Sequence, residues 1–135
     1  HALWDVTTRT PLLISAPKGV ATNRICNRPV GLIDIYPTLV ELAGLPTREG
    51  IDGRSLVPLL ENPDRDWDRP VVMTYGYRNH AVQTSRWRYI EYHDGTAELY
   101  DHENDPHEWT NLATRPEHQA VLRDLRSSLP KINRE

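Results

Sequence analysis

Glu98-Leu99-Tyr100-Asp101-His102-Glu103-Asn104-Asp105-Pro106-His107-Glu108-Trp109-Thr110-Asn111-Leu112-Ala113 is the stretch that decides the fold. It reads as a strand, then a polar turn closed by Asp105-Pro106, then an aromatic anchor, Trp109, ahead of a helix. Upstream the period of apolar residues is 2, giving strand candidates at Val71–Tyr75, His80–Ser85, Trp87–Tyr92 and Ala97–Tyr100. Asp94-Gly95 links the last two as a hairpin, because glycine accepts positive φ cheaply. Downstream, Val121, Leu122, Leu125 and Leu129 share one face of a helix from about Pro116 to Ser128. Four antiparallel strands covered by that helix form one expected unit, since a sheet with an apolar face must bury it.

The first half of the chain has a different period. Leu12-Leu13-Ile14-Ser15-Ala16-Pro17 reads as a buried strand of a parallel sheet. Leu32, Tyr36, Leu39 and Ala43 fall at helical spacing, with Asp34 as cap, Pro37 in the first turn and Gly44 as the stop. Ser55 caps a short helix through Leu60. The charged, proline-flanked stretch 62–70 marks the main boundary, which divides the chain into an α/β unit over 1–65 and a sheet-plus-helix unit over 66–135.

With 135 residues, 38% of them hydrophobic and 26% charged, the chain is globular, and it buries roughly two-thirds of its unfolded surface. A net charge of −3 supplies no field for holding phosphates, which argues against nucleic acid as a partner. No apolar run approaches the ~20 residues of a membrane-spanning helix. A single cysteine, Cys26, excludes an internal disulfide. His1-Ala2-Leu3-Trp4 carries no signal-peptide features and reads as the middle of a longer chain.

Few residues look catalytic. Asp101, Glu103 and Asp105 alternate like the start of a calcium loop, but Pro106 stands where glycine is needed and Leu112 where glutamate is needed. They read instead as a turn in which Asp105 and Asn111 hold backbone amides. His102 and His107 are five apart with Pro106 between them, not four apart as on a zinc helix, and read as surface histidines. Cys26 is flanked by Arg24 and Arg28, weak support for a thiolate nucleophile, and reads as structural. Trp87 and Tyr89 read as one face of sheet core. The richest loop is Tyr75-Gly76-Tyr77-Arg78-Asn79-His80, where Arg78 could grip a carboxylate or sulfate through two hydrogen bonds.

Four segments in order resemble the C-terminal third of type I sulfatases, in particular the iduronate-2-sulfatase-like group. They are LWDVTTRTPLLISAP at 3–17, VGLIDIYPTLVELAGLP at 30–46, DGRSLVPLL at 52–60, and the opening stretch. The resemblance implies an α/β fold, the end of an alkaline-phosphatase-like catalytic domain followed by a small antiparallel four-stranded sheet with a C-terminal helix. It implies hydrolysis of sulfate esters, with sulfated carbohydrates as the substrate class and a periplasmic or secreted full-length form. The family uses a formylglycine made from Cys (or Ser) in a Cys-x-Pro-x-Arg motif, together with a calcium ion. Cys26-Asn27-Arg28-Pro29 and Ser15-Ala16-Pro17-Lys18-Gly19 both depart from that motif. No catalytic or metal-ligating residue is therefore carried over, and the expected partner is a missing N-terminal part of the same sulfatase. By register the family's sulfate-contacting lysine precedes His1. His1 and the loop residues Tyr77, Arg78, Asn79 and His80 are the substrate-binding candidates that the resemblance implies. The alternatives are a non-catalytic carbohydrate-binding or interaction module derived from the sulfatase fold, and a phosphoesterase of the same superfamily.

Overall fold

A computed structural model describes residues 2–16 and 23–133. The chain divides into two compact units, Pro11–Asp68 and His1–Thr10 with Arg69–Glu135.

The second unit is a four-stranded antiparallel meander in the order β1 (Val71–Thr74), β2 (His80–Gln83), β3 (Trp87–Glu91) and β4 (Ala97–Asp101). Its register pairs Val72 with Val82, Val82 with Tyr89 and Tyr89 with Leu99, so these four side chains share one face. A helix, α4 (Gln119–Ser127), follows a 3-10 turn at Pro116–His118 and lays Leu125, Val121 and Leu122 on Val82, Tyr89 and Leu99. Trp87 packs with the same cluster. The connection between Tyr92 and Thr96 turns at Gly95, whose φ of 84° is the left-handed conformation that glycine adopts at no steric cost. Gly95 N donates to Tyr92 O at 3.0 Å, and Tyr92 N donates to Thr96 O at 2.9 Å.

The opposite face of this sheet is also covered. Ala81, Ile90 and Tyr100 enclose Leu3, and the one-turn helix α1 (Asp5–Thr8) follows it. Residues 2–10 thus serve as a second lid on the sheet, a placement that the expected division at 65 does not give them. The cause is Arg88. Its side chain is buried on that face and donates to Leu3 O at 2.7 Å, Thr8 Oγ1 at 3.1 Å and Asp5 Oδ1 at 3.0 Å.

In the unit Pro11–Asp68, a 3-10 turn at Leu32–Asp34 leads into α2 (Ile35–Leu42). Asp34 stands at the expected cap position, but its carboxylate bonds outside the helix start, accepting from Gly31 N at 2.9 Å and Arg54 N at 2.8 Å. Thr38 Oγ1 donates to Asp34 O at 2.6 Å and accepts from Leu56 N at 2.9 Å. These bonds bring Gly53 against the helix start, where a Cβ would lie 2.2 Å from Ile33 O. Gly44, at φ 65°, ends α2 with its N bonded to Glu41 O and Leu45 N bonded to Val40 O, both at 3.0 Å. Ser55 Oγ accepts from Val57 N at 3.2 Å ahead of α3 (Val57–Glu61), and Leu56, Leu59 and Trp67 make this unit's core.

The strand expected at 12–17 does not form. Residues 11–16 are irregular, Leu13 is 88% exposed, and no strand among the described residues lies beside them to complete a ladder. Pro17 lies outside the described residues, as do Lys18 and Gly19.

Candidate functional site

In a meander, alternate connections fall at the same end of the sheet. The loop after β1 and the turn after β3 are therefore neighbours, and Asn79 joins them. Its Nδ2 donates to Tyr75 O at 3.0 Å and Tyr77 O at 3.1 Å, while its Oδ1 accepts from His93 N at 3.1 Å. Two carbonyl acceptors on one side fix the amide orientation. Between the two connections lies an open groove of about 390 Å³ lined by Tyr75, Asn79, Tyr92, His93, Asp94 and Thr96. Ala2 and Leu3 complete the lining.

Asp94 Oδ1 accepts from Thr96 N at 2.9 Å and Thr96 Oγ1 at 2.7 Å. The Thr96 hydroxyl bond, followed by the backbone bond, holds this carboxyl below the ordinary carboxylate range, so it is charged at neutral pH. Burial and the nearby Glu98 push the Tyr92 phenol up to about 12, so it remains a protonated donor. His93 Nδ1 is 3.4 Å from Asn79 Oδ1, which only accepts. The proton is therefore assigned to Nδ1, leaving Nε2 as an acceptor in the neutral ring.

The substrate-binding candidates from the sequence separate in this geometry. Tyr77 and Arg78 are exposed, with Arg78 at φ 58° and its guanidinium 5.9 Å from the Tyr77 ring centroid. Asn79 spends its amide on the loop and on the neighbouring turn. His80 is buried, with Nδ1 2.9 Å from Thr74 Oγ1 and Nε2 2.7 Å from Asn133 Oδ1. His1 lies outside the described residues. The groove residues Tyr92, His93, Asp94 and Thr96 escaped the sequence reading, which treated 93–96 only as a hairpin link. The signal was the meander order, which brings that turn beside the Tyr75–His80 loop.

The opening turn is scaffold. Asp101 holds Arg86 through paired bonds of 2.9 and 2.7 Å and accepts from Asn104 Nδ2 at 2.8 Å. Asp105 accepts from Thr110 N at 2.7 Å, and Asn111 Oδ1 from Leu99 N at 3.1 Å and Ala113 N at 2.9 Å. Two expectations fail here. Trp109, expected to hold the turn against the terminal helix, is instead 83% exposed and stacked on His107 at 5.0 Å. His102 is no free surface histidine, since its Nε2 lies 2.8 Å from the buried Glu108 Oε1.

The described residues do not fit the metal and nucleophile that the resemblance implies for the whole enzyme. Among the described residues no group of three or more His, Cys, Asp or Glu converges as a cation site. Cys26 is exposed with its Sγ 3.5 Å from Pro63 O, outside the required motif.

A four-stranded meander closed by a C-terminal helix, after a helical segment with the 30–60 pattern, defines the C-terminal part of a sulfatase of the alkaline-phosphatase-like superfamily. The chain belongs to the family described as N-sulphoglucosamine sulphohydrolase, C-terminal, whose model matches residues 1–135. It is 39% identical over 133 residues to a sulfatase of Formosa agariphila, covering 98% of this chain and 26% of that protein. It is 32% identical over 142 residues to an ulvan-active sulfatase of the same organism, covering 95% of this chain and 27% of that protein. Among solved structures it is similar to BT4656, captured in complex with its substrate D-glucosamine-2-N,6-O-disulfate. That likeness has a TM-score of 0.59 and 28% identity over 70% of this chain and 22% of that one. The chain thus spans about a quarter of the length of the curated relatives it matches.

Proposed function

We propose that this chain is the C-terminal part of an enzyme that hydrolyses sulfate esters of sulfated carbohydrates, and that it positions substrate without performing the chemistry. The observation that carries this reading is the uncovered apolar surface of the unit Pro11–Asp68. Leu13, Leu32, Ile33, Tyr36 and Leu39 are all at least half exposed. Several such side chains on one short helix and its entry turn form a patch that an isolated domain rarely leaves open. An upstream catalytic portion of the same polypeptide would cover it. That portion would also supply the nucleophile, the calcium site and the lysine before His1. A self-standing carbohydrate-binding module would bury this face itself, which makes that alternative the weaker one.

The sheet unit would meet substrate through Tyr77, Arg78 and the groove between the two connections. Arg78 carries its charge on a loop held rigid by Asn79, and a guanidinium matches sulfate oxygens in paired fashion. Iduronate-like specificity rests on the sequence resemblance alone.

Coverage is directly measurable. Hydrophobic-dye binding and amide exchange at residues 32–42 should both be high in the 135-residue chain. Both should fall sharply in the polypeptide read from the complete reading frame. Equal dye binding and equal exchange in the two proteins would refute the proposed coverage.

A further inference from the structure

We infer that the groove between the Tyr75–His80 loop and the His93–Thr96 turn binds an unsulfated, hydroxyl-bearing sugar ring adjoining the sulfated one. The inference rests on the sulfate-ester reading for its setting and adds a second, charge-discriminating subsite to it. At about 390 Å³ the groove lies near the lower end of the range for small-molecule pockets, roughly 300–1,000 Å³, the size of a site for one ring.

Its chemistry selects the ligand. The lining residues include one carboxylate, Asp94, and neither lysine nor arginine. The two Thr96 bonds to Asp94 both fall on Oδ1, and the carboxylate's remaining lone pairs, those of Oδ2 first, have the capacity to take a ligand proton. His93 Nε2 is a second acceptor, because Nδ1 faces Asn79 Oδ1. Acceptors on two consecutive lining residues suit a pair of sugar hydroxyls, each of which has a proton to give. A sulfate ester has no proton to give and carries the same charge as Asp94, so it is disfavoured on both counts. Tyr75, about half exposed, offers an aromatic surface against which the apolar face of a ring can lie. Arg78, outside the lining, carries the complementary preference. The loop thus presents a cation for the sulfated ring, and the neighbouring turn presents acceptors for the neutral one.

The test is an amide-resolved NMR titration of the 135-residue chain with two single rings, methyl galactoside and methyl galactoside 3-sulfate, repeated on Asp94→Asn and Tyr75→Ala. The neutral ring should shift the amides of His93, Asp94 and Thr96. The sulfated ring should bind there more weakly. Asp94→Asn should weaken binding of the neutral ring about tenfold, the scale of a hydrogen bond to a charged group, and narrow the gap between the two rings. Tyr75→Ala should weaken both rings alike. Unchanged β3–β4 signals certify that each variant is folded, and a variant that fails this check leaves the wild-type comparison of the two rings decisive by itself. A neutral ring that leaves these amides unmoved, or a sulfated ring that shifts them as strongly or more so, overturns the inference. Sulfate release by the complete polypeptide is scored separately. Release without a groove effect sinks the subsite and keeps the enzymatic reading, and groove shifts without release do the reverse.

Discussion

Arg88 sits mid-strand between Trp87 and Tyr89 and is fully enclosed. Removing a guanidinium from water is costly, and burial lowers its pKa, opposed by Glu108 and Asp5. Its Nε lies 2.9 Å from Glu108 Oε1, an ion-pair contact without hydrogen-bond alignment. Glu108 adopts φ 58°, a conformation that costs a non-glycine residue roughly 1–2 kcal/mol. It is held there because its carboxylate also takes Asp5 N at 2.8 Å and faces His102. Arg88→Met should destabilise the sheet unit by roughly 3–5 kcal/mol, because two carboxylates lose their counter-charge. The double variant Arg88→Met, Glu108→Gln should be more stable than Arg88→Met alone. Urea unfolding of both variants measures this. Asp101 gives a pH signature. The Arg86 bond holds its carboxyl down to about 2, against an ordinary value of 3.8. A depressed pKa contributes stability that is present above about pH 3.8 and is lost as pH falls towards 2. With Arg86 nearly half exposed, solvent screening reduces the contribution to the order of 1 kcal/mol. The stability gap between wild type and Asp101→Asn should therefore hold from pH 7 to 5 and close by pH 2.

At the scale of elements, strands and terminal helix were legible because period 2 and period 3.6 alternate cleanly after residue 70. Turn chemistry fixed the hairpin at Asp94-Gly95. Two elements were not legible, for physical reasons. Leu12–Ala16 has the composition of a buried strand, but a strand exists only beside a partner, and among the described residues none lies next to it. Residues 2–10 carry no periodic signal, since their attachment depends on a single packed leucine, Leu3, and on bonds to Arg88 and Glu108, 80 or more positions away in the chain. The candidate site was half legible. The Tyr75–His80 loop showed its residue types, while the roles of Asn79 and His80 depended on partners that only the folded sheet supplies. In the unit Pro11–Asp68 the tightest constraint is Gly53. A methyl group there would meet Ile33 O at 2.2 Å and displace the Arg54 N bond to Asp34. Gly53→Ala should cost about 1–3 kcal/mol or more, read as lost amide protection at Arg54 and Leu56.

For the whole molecule, the sequence identifies the sulfatase family through a part in which, among the described residues, no cation-holding cluster converges. The turn at Asp101–Asn111 ties the last strand to the segment that leads into the terminal helix. On the proposed reading the groove and Arg78 serve recognition, an upstream portion covers the apolar face of α2, and reaction and recognition are divided along the polypeptide. The most direct test is inorganic sulfate release from sulfated polysaccharides, comparing the polypeptide of the complete reading frame with the purified 135-residue chain. The account predicts turnover by the former and none by the latter. Turnover by the 135-residue chain alone, or none by the complete polypeptide across sulfated carbohydrates, would contradict it.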